Sequence, residues 1–218
     1  MNRKFQVGVI GLGKFGHKFG KTLAEHNIDV VGVDARPDNV KQAQDVFTQV
    51  YQADATNKNA LEQLGFADMT HVLISVGSSI AASSMIALYL KELQVPNVWA
   101  KAINSDHEKL LLKIGVDEVF IPERMAAKQL ANRLAIPGFI EYLPFDSQYA
   151  LKEFMVQEWA GKTLRDIDLT NRFNVQVIAV KHAGAENFKY IPKANEKLNI
   201  DDTLVAIGEV DQLKKIKS

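Results

Sequence analysis

The chain contains no cysteine. That absence excludes a disulfide framework, a thiolate zinc site and a thiol nucleophile, and it suits a cytoplasmic chain. Net charge is lacking too, because 26 basic and 26 acidic side chains cancel. A broad nucleic-acid surface needs an excess of Lys and Arg, so no nucleic-acid partner is expected. No run of about 18 apolar residues occurs, so no membrane-spanning helix is expected. The segment Met1 to Phe5 is basic, but Gly8, Gly11 and Gly13 break the apolar stretch behind it, which makes a poor signal peptide. Any business with a membrane therefore goes through a partner. What is present is 47% hydrophobic and 24% charged residues over 218 positions, the balance of a folded chain with a core rather than a disordered one.

Catalytic signatures are equally scarce. His17, His26, His71, His107 and His182 are scattered, with no H-x-x-x-H and no acid at ligand spacing, which argues against histidine-metal catalysis. There is no G-x-S-x-G elbow and no Walker A sequence. No tyrosine is followed four residues later by lysine, as in short-chain dehydrogenases.

The first part of the chain alternates strand and helix signals. Apolar runs at Phe5–Ile10, Asp29–Val33, Val50–Ala53, His71–Val76, Val98–Ile103 and Glu118–Ile121 read as strands. Between them lie segments with helical spacing: Phe15–His26, a short helix opened by Pro37, one ending at Gly65, Ile80–Leu93, and His107–Ile114 stopped by Gly115. Strands separated by helices pair in parallel through right-handed crossovers, so the expected fold is α/β, a Rossmann-like doubly wound sheet. Met125–Leu134 reads as one more helix. Pro137-Gly138 and Leu143-Pro144 then mark a boundary. Beyond it, short strands at Ala150–Val156, Val175–Val180, Phe188–Ile191 and Thr203–Ile207, with helices near Thr163 and at Asp211–Ile216, describe a small α+β domain. The expected division is 1–136 for the nucleotide-binding domain, 137–148 for a linker and 149–218 for the C-terminal domain.

Gly11-Leu12-Gly13-Lys14-Phe15-Gly16 stands between the first strand and the first helix, and Asp34 follows Gly16 by 18 residues at the end of the second strand. In that context G-x-G-x-x-G is a dinucleotide fingerprint. Gly11 permits the tight turn, Gly13 admits a phosphate to the backbone, and Gly16 lets helix and strand pack closely. The helix N-terminus offers unpaired N–H groups and partial positive charge. Asp34 is expected to accept hydrogen bonds from both ribose hydroxyls and to repel a 2′-phosphate. Asp54, Ala55 and Thr56 end the third strand on the same rim, where an adenine would sit; Thr56 reads equally as the N-cap of the next helix. Val76 and Gly77, within Ser75-Val76-Gly77-Ser78-Ser79, close the fourth strand across the crevice. Lys101, a charge inside the fifth strand, is read as meeting a phosphate rather than snorkelling to the edge. Glu123 reads either as a first-turn acid favoured by the helix dipole or as a carboxylate for a phosphate-bound divalent cation.

Taken together these residues resemble the RCK (regulator of conductance of potassium) family, in its Ktr/TrkA-type regulatory subunits of bacterial potassium uptake. Gly11–Gly16, Asp34, Asp54-Ala55-Thr56, Ser75-Val76-Gly77 and Ile121-Pro122-Glu123 follow the family's order. Ser79–Ser83 and Pro96–Ala102 look Ktr-like, and Gly161–Leu164 and Asp201–Gly208 resemble its TrkA-C domain. The resemblance implies a cytoplasmic regulator without enzymatic activity, a homodimer assembling into an octameric ring on a separate membrane subunit that is KtrB- or TrkH-like. It implies ATP or ADP as ligand, with NAD(H) for TrkA-like members, and a divalent cation such as Mg²⁺ at the Glu123 position. Where Ktr relatives carry an arginine that reaches the γ-phosphate across the dimer, this chain has Lys14, a point charge without the bidentate fork. An NAD-dependent oxidoreductase using the same crevice is the competing reading.

Overall fold

A computed structural model describes residues 5–77, 79–136, 138–143 and 146–216. The basic Met1–Lys4, Ser78, and the boundary prolines Pro137 and Pro144 lie outside them. By its contacts the chain divides into two compact units, Met1–Glu123 and Arg124–Ser218.

The first unit is a six-stranded parallel sheet. Its strands are β1 (Gln6–Ile10), β2 (Asp29–Asp34), β3 (Gln49–Gln52), β4 (His71–Ile74), β5 (Asn97–Lys101) and β6 (Glu118–Phe120), in the spatial order β3-β2-β1-β4-β5-β6. Ile10 at the end of β1 is level with Val33 of β2 and Ile74 of β4. The intervening helices are α1 (Lys14–Glu25), α2 (Pro37–Ala43), α3 (Lys58–Gln63), α4 (Ile80–Glu92) and α5 (Ser105–Ile114). Helix starts and stops follow local chemistry. Pro37 sits in the first turn of α2, and Ser79 and Asn104 accept the N–H groups of Ala82 and His107 to cap α4 and α5. Gly65 and Gly115, at φ 76° and 99°, take the left-handed backbone that closes α3 and α5.

Both faces of the sheet are covered, as parallel sheets require. On one, Val31, Val33, Val72, Ile74 and Val98 pack with Ile86, Ala87 and Leu90 of α4 and Leu111 of α5. On the other, Val9, Val30 and Leu73 meet Phe47, with Phe15, Phe19 and Leu23 of α1 set at helical spacing against them. Each such side chain fully buried contributes about 1.5–3 kcal/mol.

Helix α6 (Pro122–Ala135) leads from the first unit into the second, and buries no residue of its own. The second unit is a five-stranded antiparallel sheet in the order β10-β9-β11-β8-β7. It comprises β7 (Phe139–Leu143), β8 (Asp146–Met155), β9 (Gln176–Lys181), β10 (Lys189–Tyr190) and β11 (Thr203–Glu209), with α7 (Leu164–Ile167), α8 (Leu169–Phe173) and α9 (Val210–Lys215). Phe154, Val156, Ile167, Val180, Leu198, Leu204 and Leu213 form its core, joined by Ile136 from beyond α6.

The expected linker over 137–148 is corrected here. Its described part is strand: β7 and the start of β8 pair antiparallel, with irregular register. The Pro and Gly residues around Phe139–Leu143 masked a short edge strand that only its partner reveals. Among the described residues no helix is long and apolar enough to cross a membrane.

Candidate functional site

β1 lies between β2 and β4, so the crossovers leaving its two sides part company at its carboxyl end. Parallel α/β sheets bind ligands in the crevice that this reversal opens. The structure has a cleft of about 560 Å³ there, lined by the carboxyl ends of β1, β2 and β5 and by the loops that follow β3 and β4.

The three glycines do different work. Gly11 takes φ 92°, and its N–H donates to Val33 O at 2.8 Å. A Cβ on Gly11 would lie 2.9–3.0 Å from the backbone of Ser75 and Val76, so this turn passes against the end of β4 with no space for a side chain. Gly13, the N-cap of α1, has ordinary φ and faces open space; a Cβ there would meet only Arg36 Nη2, at 3.9 Å. Gly16 does not line the cleft, and its Cβ would collide with Gly11 O, so it seats α1 on the turn. No side chain caps α1 and its first turn holds no acid, leaving the N–H groups and partial positive charge of that end uncompensated by the protein. Lys14 and Phe15 follow at the mouth, with the Phe15 ring 5.4 Å from that of Phe120.

Asp34 is 8% exposed and already engaged. Its Oδ2 accepts from Leu12 N–H and Asn39 Nδ2, both at 2.7 Å, and its Oδ1 from Arg36 N–H at 2.8 Å. A carboxylate accepts about four hydrogen bonds. Protein donors take three, so Asp34 has room for one ribose hydroxyl, not the pair that its position suggests. Sequence reasoning missed Arg36, whose Nε stands 3.8 Å from Asp34 Oδ1 and whose side chain is 71% exposed at the cleft rim. A basic residue two positions after the acid was the available signal.

Asp54, Ala55 and Thr56 all line the cleft. Thr56 does not cap α3: Asn57 does, accepting from Asn59 N–H. The Thr56 hydroxyl and N–H instead donate to Asp54 Oδ1 at 2.7 and 2.9 Å. Those bonds, the hydroxyl's foremost, hold the Asp54 carboxyl below its usual range. Val76 and Gly77 line the cleft with Ser75 of the same segment, and Ala82 and Ile86, which the sequence reading had not assigned, join them.

Lys101 reaches the cleft from the end of β5, and its Nζ donates to Glu123 Oε1 at 2.6 Å. This bond lowers the Glu123 carboxyl. Glu123 is at the first turn of α6, outside the cleft lining, and its partnership with Lys101 means the phosphate and the cation roles expected of these two residues compete. Among the described residues no three His, Asp or Glu side chains are grouped to hold a metal. The lining has no histidine or tyrosine, and both its carboxylates are tied to protein donors. Lys14, Arg36 and Lys101 are the cationic side chains of the cleft's lining.

Comparison with known proteins agrees with this layout. The family model described as the TrkA-N domain matches residues 7–122, and that of the TrkA-C domain matches 153–218. Ktr system potassium uptake protein C of Bacillus subtilis is 32% identical over 215 residues, covering 98% of this chain and 96% of the relative. Ktr system potassium uptake protein A of Vibrio alginolyticus is 34% identical over 215 residues, covering 98% and 97%. None of these is named as an enzyme. Among solved structures, the GsuK RCK domain superposes with a TM-score of 0.63 at 20% identity, over 97% of this chain and 46% of that one. The GsuK channel bound to NAD does so with a TM-score of 0.61 at 19% identity, over 97% and 38%. This chain thus spans under half of those two solved chains, and the likeness to them is one of fold.

Proposed function

This chain belongs to the family that joins a TrkA-N domain to a TrkA-C domain, and from that premise we propose that it is the nucleotide-sensing regulatory subunit of a potassium uptake system. The observation that carries the reading is the cleft at the β1–β4 switch. The open Gly13, the bare N-terminus of α1, Asp34 with one acceptor site left, and three cations converge on one nucleotide-sized space. Clefts of about 300–1,000 Å³ suit such ligands. A ligand held by phosphates and ribose, with no acid–base pair beside it, is sensed and not transformed.

In this reading adenosine lies against Asp34 and the Asp54–Thr56 rim, and the phosphates cross Gly13 toward Lys14. ATP carries one phosphate more than ADP and so places extra charge at Lys14 and the N-terminus of α1. Whichever subunit arrangement brings a further cation there is favoured by ATP, by no more than the nucleotide's differential affinity for the two arrangements. Mg²⁺ would use Glu123 with the phosphates, since this ion typically takes only one or two protein carboxylates; Glu123 must first leave Lys101. A second copy of the chain would cover Met125, Leu130 and Leu134, which α6 leaves 60–89% exposed. The resulting dimers, closed into a ring, would act on a separate membrane subunit.

The test is a thermal-shift and calorimetric titration with ATP, ADP, NAD and NADH, with and without Mg²⁺. ATP and ADP are expected to bind, and Lys14→Ala to reduce the preference for ATP. Stabilisation by NADH alone would move the chain to an NAD(H)-sensing role. Silence toward all four, or catalytic turnover of a nicotinamide cofactor, would overturn the proposal.

A further inference from the structure

The second unit holds a polar cluster that the nucleotide cleft does not use. His182 follows β9, and its two ring nitrogens face two carboxylates: Nδ1 is 2.8 Å from Asp202 Oδ2, and Nε2 is 3.3 Å from Glu196 Oε1. Asp202 is fully buried and also accepts the N–H groups of Ala183 and Asn199. Glu196 is further held by Lys189 Nζ of β10 at 2.7 and 2.8 Å. Lys181, the residue before His182, has its Nζ over the Phe188 ring at 5.1 Å.

A neutral imidazole has one N–H, whereas the imidazolium has two. Two carboxylates on the two nitrogens are both satisfied only by the charged form; in the neutral form one of them faces a lone pair. The buried Asp202 bond is the shorter and is fixed by two backbone donors. The contact given up on deprotonation is therefore the one to Glu196.

Glu196 stands in the stretch 193–198, whose backbone fastens the start of α7. Arg165 N–H donates to Ala194 O at 2.8 Å, Leu164 N–H to Glu196 O at 3.1 Å, and Leu198 N–H to Lys162 O at 2.9 Å. Leu164, Arg165, Pro192 and Ala194 are among the residues that line a second cleft of about 370 Å³. The stretch that carries Glu196 and the helix start it fastens thus both contribute to the lining of that cleft.

We propose that His182 is a proton-operated latch: its imidazolium ties Glu196 to Asp202 and steadies the 193–198 stretch, and loss of its proton releases that tie and loosens the stretch together with the part of the second cleft's lining that it fastens. The bond to Asp202, aided by Glu196 and opposed by partial burial, raises the His182 pKa above that of a free histidine. The sign follows. A raised histidine pKa contributes fully below the unfolded value and is lost as pH rises through the folded one. The latch is closed below the free-histidine value of about 6.5 and opens as pH rises through the higher folded one.

Amide hydrogen exchange on the full chain at a series of pH values, corrected for the intrinsic rate, reads this directly. Peptides covering 161–165 and 193–198 should lose protection several-fold from about pH 6 to about pH 8.5, while the β8–β11 ladder does not. His182→Gln should abolish that pH response. Glu196→Gln, which keeps the Asp202 bond, should leave a fold that is pH-insensitive at the same peptides, so the test survives if His182→Gln fails to fold. A His182 Cε1–H resonance titrating at or below the free-histidine value would overturn the proposal. So would an unchanged pH response in either variant.

Discussion

Exchanging Gly13 and Gly16 separately for alanine distinguishes a glycine that serves the ligand from one that serves the fold. At Gly13 the φ is −66° and a new Cβ meets nothing nearer than Arg36 Nη2 at 3.9 Å. The empty protein should therefore lose only the small difference between Gly and Ala at an N-cap, about 1 kcal/mol or less. On the proposed nucleotide-binding reading, the methyl occupies the space through which a phosphate approaches α1. At Gly16 the Cβ collides with Gly11 O and lies 3.2 Å from Ser75 Cβ, and a backbone oxygen cannot turn aside. Overpacking of this kind costs about 1–3 kcal/mol, which for a chain of this size is a fall in Tm of roughly 2–12 °C. Ligand at about 100 times its Kd stabilises by about 2.7 kcal/mol, a rise in Tm of roughly 5–11 °C. Thermal denaturation of wild type and both variants, with and without ATP, reads all of these. Gly13→Ala should keep nearly the wild-type Tm and lose the ATP-induced rise; Gly16→Ala should start lower. A full ATP response in Gly13→Ala, or a wild-type Tm in Gly16→Ala, would refute the division of roles.

Glu123→Gln removes the partner of Lys101 and frees its ammonium for phosphate. Calorimetry without divalent cation should show tighter ATP binding, and the response to added Mg²⁺ should shrink. His107 is buried with Nδ1 accepting from Ile103 N–H at 3.2 Å, so Nε2 carries the proton and donates to Ser83 Oγ at 2.8 Å. Burial lowers its pKa, so its contribution is complete above the unfolded histidine value of about 6.5 and declines as pH falls from there toward the folded one. With Trp159→Phe leaving Trp99 as reporter of the first unit, the urea midpoint should drop on acidification below about pH 6.5, and less so in His107→Gln. Leu204→Ala, at a fully buried position of β11, should cost the second unit about 2–5 kcal/mol, seen in Trp159 fluorescence of a Trp99→Phe background.

Much of this protein is legible one segment at a time. The alternation of short apolar runs with helical spacing specifies the parallel sheet, because β–helix–β connections admit one hand of crossover. The G-x-G-x-x-G turn, the cap at Ser79 and the stops at Gly65 and Gly115 depend on atoms a few residues apart, and local sequence is sufficient to place them. Much of the cleft's membership is legible for the same reason: Gly11, Asp34, Asp54, Val76 and Lys101 all stand at or just past strand ends, and the carboxyl ends of a parallel sheet's strands share one edge. Where local reading fails, the deciding partner is remote. Phe139–Leu143 is a strand only because β8 pairs with it, and Thr56 is drawn from the cap position by Asp54.

What the amino-acid order determined without help was most of the crevice lining, from Gly11 to Lys101, though not Arg36 and its charge. The tertiary structure decided how much of each is free to act. Leu12, Arg36 and Asn39 leave Asp34 a single acceptor site, Glu123 engages Lys101 across 22 residues, and two acids converge on His182. The physical reason is that hydrogen-bonding capacity is finite and short-ranged. A sequence names donors and acceptors, but only the packed chain brings them within 3 Å and so fixes which are spent on the protein and which remain for a ligand or a proton.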